Sequence, residues 1–117
     1  MREVSKKITY KGKDYKLVFN LNVMEVIQDE YKTLDAWGEL TDGKAGEVNI
    51  KALIFGLTAM LNEGIDIENE TAETKQPFLT SKQVGRMLTE VGIEDITDDM
   101  NGLIVDSTKV EDNRKNV

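Results

Sequence analysis

Polar and apolar positions change period once along the chain. Up to Phe19 they alternate: Ile8, Tyr10, Tyr15, Leu17 and Phe19 are interleaved with Lys7, Thr9 and Lys16 around the polar run Lys11-Gly12-Lys13-Asp14. A period of two is that of a half-buried strand, so the segment predicts a β-hairpin. A two-residue Gly12-Lys13 loop with glycine first suits a type II′ turn, whose twist matches that of the strands. That loop predicts Tyr10 opposite Tyr15, Ile8 opposite Leu17 and Lys6 opposite Phe19. The five apolar residues then share one face and Lys7, Thr9 and Lys16 the other. A lone hairpin is marginal in water, so its apolar face is expected to lie against helices.

After Phe19 the apolar residues recur every three to four positions. Asn22 with Glu25 three residues on reads as a variant capping box, opening a helix through Val23, Val26, Ile27 and Tyr31. A short helix is expected around Leu34, Trp37 and Leu40, followed by a loop over Thr41–Gly46. Asn49 caps the strongest pattern in the chain, a stripe of Ile50, Leu53, Ile54, Leu57, Met60 and Leu61, with Gly64 placed as its terminating glycine. Residues 65–78 hold Asp66, Glu68, Glu70 and Glu73 among small polar residues and read as an acidic loop. Thr80 and Gln83 form a capping box before Val84, Met87, Leu88 and Val91, with Gly92 as the stop. A last helix from about Glu94 carries Ile96, Met100, Leu103 and Ile104, and beyond Asp106 the chain turns polar. The fold class expected is α+β, an N-terminal hairpin packed on a bundle of four to five short helices. One domain is expected over residues 1–106, with 107–117 a flexible polar tail.

Composition narrows the chemistry. The 117 residues include no His and no Cys. Disulfides, thiolate nucleophiles, Cys/His zinc sites and imidazole catalysis are thereby excluded. No apolar leader follows Met1, and no apolar run approaches the ~18–20 residues of a membrane span, so a cytoplasmic protein without membrane contact is expected. Net charge is −7, unevenly spread: residues 1–19 hold six basic and two acidic residues, +4, which leaves −11 for the rest. An acidic body opposes binding to a phosphate backbone, so no nucleic-acid partner is expected. The basic end reads more simply as lysines that keep an exposed strand pair from associating edge to edge.

The acidic clusters do not build a site. Setting Gly102 at the glycine of a calcium loop places Asp99 and Asn101 at ligand positions, but puts Thr97 first and Thr108 last, where Asp and a bidentate Glu are required. Pairs such as Asp98/Asp99 and Glu68/Glu70 sit in polar surroundings, where neighbouring acids form a solvated face. Gly43-Lys44 lacks the spacing of a phosphate loop, and Ser5, Ser81 and Ser107 have no His to activate them. No catalytic residue and no cofactor are expected. Trp37, Phe55 and Phe78 are the side chains best able to anchor a partner; completion of a small core is the simpler reading for Trp37 and Phe78, and the two readings are balanced for Phe55. Phe55 lies off the centre of its helix stripe.

The order of these elements carries a resemblance. A strand pair runs directly into Phe19-Asn20-Leu21-Asn22-Val23-Met24-Glu25-Val26-Ile27. The helix Ile50-Lys51-Ala52-Leu53-Ile54-Phe55-Gly56-Leu57 follows, and then Leu79-Thr80-Ser81-Lys82-Gln83-Val84-Gly85-Arg86-Met87-Leu88. Over roughly residues 6–104 this resembles the tail assembly chaperones of long-tailed bacteriophages and prophages of Gram-positive hosts, although the 65–78 segment is longer and more acidic than that pattern. The resemblance implies a non-enzymatic protein that binds the tape-measure protein before tail-tube subunits polymerise around it. The tail-tube protein and a second copy of the chain are further partners it suggests. Its physical sense is that a small acidic protein can cover apolar helical stripes and stay in solution. Trp37, Phe55 and Met60 are the partner-binding residues expected on this reading. Members of that family are often made in two lengths by a −1 ribosomal frameshift, and Arg114-Lys115-Asn116 is encodable as AGA-AAA-AAC, which contains a slippery heptamer. A structural tail component and a small acidic regulator of a basic partner are the alternatives.

Overall fold

Two consecutive residues with positive φ, Lys11 at 51° and Gly12 at 75°, turn the N-terminal hairpin. The computed structural model describes residues 4–44 and 46–115, and the side chains of 5–44 and 46–107. Within it β1 (Val4–Tyr10) pairs antiparallel with β2 (Lys13–Phe19). Positive φ at both loop positions makes the turn type I′ with glycine second, not the type II′ turn over Gly12-Lys13 that the sequence suggests. Register moves accordingly: Ile8 faces Tyr15 and Lys6 faces Leu17. A slip of two residues preserves the pleat, so Ile8, Tyr10, Tyr15, Leu17 and Phe19 still share a face. The observed register sets Thr9 opposite Asp14, where Thr9 Oγ1 donates to Asp14 Oδ1 at 2.7 Å, and Lys7 Nζ stands 3.6 Å from Asp14 Oδ2.

The chain enters α1 (Leu21–Tyr31) straight from β2. Asn20, not Asn22, is the cap, because it is the last extended residue after Phe19; its Oδ1 accepts from Val23 N at 3.1 Å. Asn22 falls within the first turn instead, and both asparagines donate to Glu63 Oε2, at 2.6 and 3.0 Å. That carboxylate ties α3 to the positive end of α1. Thr33 caps α2 (Leu34–Thr41), and Asn49 caps α3 (Ile50–Asn69), as its spacing predicts.

Gly64 does not end α3. The helix runs five residues past it to Asn69, taking up the first part of the expected acidic loop. A Cβ at Gly64 would stand 2.6 Å from the Lys16 carbonyl oxygen, so this glycine marks where α3 crosses β2. Two asparagines then fasten the 70–80 connection along α3. Asn62 exchanges a pair of hydrogen bonds with the backbone of Leu79, at 2.8 and 3.0 Å, and Asn69 does the same with Gln76, at 2.9 and 3.0 Å. The Thr80–Gln83 capping box opens α4 (Ser81–Val91), and Gly92 at φ 108° closes it. Helix α5 spans Ile93–Lys115 and continues through the stretch beyond Asp106 where a stop is expected from the polar sequence.

The architecture is α+β: a two-stranded hairpin packed on five helices. Helix α3 is the hub, packing on β2, α1, α2 and α4, while α5 reaches both strands. Their shared core holds Ile8, Leu17 and Phe19 from the hairpin with Leu53, Leu57, Met60 and Leu61 from α3. Met87 and Leu88 of α4 and Met100 and Leu103 of α5 close it.

Candidate functional site

Helices α3 and α4 each present doublets of residues one turn apart. On α3 these are Ile50/Lys51 and Ile54/Phe55; on α4 they are Ser81/Lys82, Gly85/Arg86 and Leu88/Thr89. Spacing of three to four stacks each series along one helix face, and the two faces line an open groove of about 960 Å³. Tyr31 of α1 lines the groove beside Phe55, ring centroids 5.5 Å apart and planes at 73°, an edge-to-face contact that holds the phenyl ring in place. Ile93, the first residue of α5, also lines it.

The floor is apolar and part of it is left uncovered. Ile50 and Ile93 are 45% and 42% exposed, while Ile54 and Phe55 are half-buried. Exposed isoleucines beside half-buried aromatics form a continuous apolar surface, the kind that a second molecule covers with gain. Four charged residues stand on its lining: Lys51, Lys82 and Arg86 against Glu30. Among the described residues the three cations form no ion pair.

Of the residues expected to bind a partner, the structure brings only Phe55 to this surface. Trp37 is buried, its indole Nε1 donating to the Ala52 carbonyl at 2.8 Å. Its ring occupies the space left by Gly56, where a Cβ would come within 2.2 Å of Trp37 Cζ2. Met60 is fully buried at the centre of α3. Both therefore sit in the core, on the inward faces of α2 and α3, away from this groove. Phe78 is 55% exposed and lines a smaller depression with Val26 and Ala59, beside Glu63 and Asp66.

Sequence reasoning missed most of the groove. It assigned Ile50 and Ile54 to the core stripe and passed over Lys51, Lys82, Gly85 and Arg86. A signal was present on α4, whose inward face is Val84, Met87, Leu88 and whose other face sets small Ser81, Gly85 and Thr89 beside Lys82 and Arg86. Among the described residues no group of three carboxylates could hold a metal ion, and no helix is long and apolar enough to cross a membrane. No family model, curated protein or solved structure matches the chain.

Proposed function

We propose that this chain is a non-enzymatic helix-binding protein that acts as a phage tail assembly chaperone, holding an apolar helical stripe of the tape-measure protein until tube subunits replace it. The observation that carries the reading is the uncovered groove between α3 and α4, with Ile50, Ile54 and Phe55 on its floor. A groove between packed helices is the standard receptor for an amphipathic helix, which docks through residues spaced three to four apart. The resemblance of the hairpin, α1, α3 and α4 segments to tail chaperones supplies the identity of the partner, and the host cytoplasm is where such a complex would form.

Co-expression with a phage tape-measure protein from the same genome tests the reading. Wild type is expected to keep that protein soluble and to co-purify with it. Ile50→Glu, at a position already 45% exposed, is expected to fold normally and lose both effects. A tape-measure protein that stays insoluble with wild type, or that is rescued equally by Ile50→Glu, would overturn it. The frameshift is tested separately, by intact-mass analysis of the product of the native gene with its downstream DNA. A minor longer species supports a −1 shift, and a single product ending at Val117 refutes it.

A further inference from the structure

We infer that the groove selects an amphipathic helix whose apolar stripe is flanked by carboxylates, admitted close to α4 at Gly85. This deepens the helix-binding reading above and rests on it. The first support is charge placement. Residues 20–107 hold 18 acidic residues and six basic ones. Three of those six, Lys51, Lys82 and Arg86, line this one groove, with Glu30 the single carboxylate beside them. An acidic protein has thus set half the cations of this span on the lining of one apolar groove. Among the described residues nothing on the chain itself pairs with them. Lys82 and Arg86 are four residues apart on α4, and Lys51 stands on α3. Cations thus come from both helices that line the groove, and an apolar helix lying in it would carry its flanking residues past them. Acidic flanks fit that arrangement, and basic flanks would meet like charge.

The second support is Gly85. Glycine is disfavoured in a helix interior, and Gly56 and Gly64 offset that cost through intimate packing, whereas Gly38, Gly85 and Gly102 meet only open space or ordinary contacts. Gly56 makes room for Trp37 and Gly64 for Lys16. Gly85 has no such neighbour, since a Cβ there would meet only Ile54 Cδ1, at an ordinary 3.6 Å. It opens instead onto the groove, between Ser81 one turn before and Thr89 one turn after. Missing side-chain bulk at that position lets a second backbone approach α4 closely.

Two synthetic helical peptides of about 20 residues test the inference. They share one Leu/Ala apolar stripe and differ only in flanking residues, all Glu in one and all Lys in the other. Binding is read by fluorescence anisotropy against wild type, Gly85→Gln and the triple variant Lys51→Glu/Lys82→Glu/Arg86→Glu, each checked for fold by circular dichroism. The Glu-flanked peptide is expected to bind wild type about tenfold tighter, the sum of a few partly exposed charge pairs. That preference is expected to vanish near 1 M salt, where the screening length falls to about 3 Å. It is expected to reverse in the triple variant, and Gly85→Gln is expected to weaken both peptides.

Equal binding of the two peptides, or tighter binding of the Lys-flanked one, overturns the inference and leaves the helix-binding groove standing. Binding of neither peptide to wild type overturns both. Binding that ignores all four substitutions places the contact elsewhere and overturns the inference. Sedimentation of the same samples covers another occupant: a dimer dissolved by the triple variant would give the groove to a second copy of the chain and overturn it as well.

Discussion

Replacing Gly64 with alanine sets two effects of opposite sign against each other. Alanine is intrinsically favoured over glycine inside a helix by about 1 kcal/mol. Against this, the added Cβ would stand 2.6 Å from the Lys16 carbonyl oxygen and 3.2 Å from Lys16 Cβ. The oxygen belongs to the backbone of β2 and cannot rotate aside, so α3 and β2 must separate by most of an ångström to restore ordinary contact. That gap opens beside Leu17, Phe19, Leu57 and Leu61, all buried in the shared core. A gap of this size forfeits about a quarter to a half of the dispersion attraction across it. Overpacking of this kind costs about 1–3 kcal/mol, and an unyielding backbone neighbour puts the site at the upper end. The net expectation is a loss of about 2 kcal/mol, or about 8 °C in Tm for a domain of this length. Gly85→Ala is the control on α4. Its Cβ meets only Ile54 Cδ1 at 3.6 Å, so propensity prevails and stability rises by about 0.5–1 kcal/mol. Urea unfolding followed by far-ultraviolet circular dichroism and by Trp37 fluorescence reads both, with unchanged m-values as the condition for comparing midpoints. A Gly64→Ala protein as stable as wild type would refute the claim that close approach of α3 to β2 limits that position.

Three further outcomes are expected. Trp37→Phe removes the indole donor to Ala52 and leaves a void beside Gly56, so the urea midpoint should fall by the equivalent of about 2–3 kcal/mol. Asn62→Ala strips both hydrogen bonds from the Leu79 backbone, so amide exchange should accelerate at Leu79 while the middle of α3 stays protected. The carboxyl of Asp14 is held below its ordinary 3.8, first by the hydroxyl of Thr9 and then by the charge of Lys7. A depressed folded value means that the stability it contributes is present above the unfolded pKa and is lost as pH falls through the folded one. Thr9→Val should therefore raise the Asp14 midpoint toward its ordinary value in a carbon-13 NMR titration, and an unmoved midpoint would assign the shift to Lys7.

Much of the fold is legible in the sequence because period alone separates strand from helix. The alternation through Ile8, Tyr10, Tyr15, Leu17 and Phe19 does so for the hairpin, and the stripe from Leu53 to Leu61 for α3. Local chemistry located the Asn49 cap and the Thr80–Gln83 capping box, since each is satisfied within four residues. The errors come where two local solutions compete. Asn20 and Asn22 are equally good caps, and the choice depends on where β2 ends. Lys11-Gly12 and Gly12-Lys13 are both plausible turns, and cross-strand pairing of Thr9 with Asp14 belongs to only one of them. At the candidate site, Phe55 stood out as lying off its stripe, and it does line the groove. Met60 lies on that stripe and is buried, whereas nothing local to Trp37 shows that Gly56 makes room for its ring.

What the chain determined by itself is the set of elements, their order and the faces they bury, because hydrogen bonding and hydrophobic period act over a few residues. Tertiary structure decided the meaning of residues whose role depends on what comes near. Gly56, Gly64 and Gly85 look alike on paper: the first houses an indole, the second a strand, the third opens on a groove. Lys51 and Arg86 are 35 positions apart in the chain and line one groove only because α4 packs on α3. Such proximity is created by packing between elements, and no local preference of the chain encodes it.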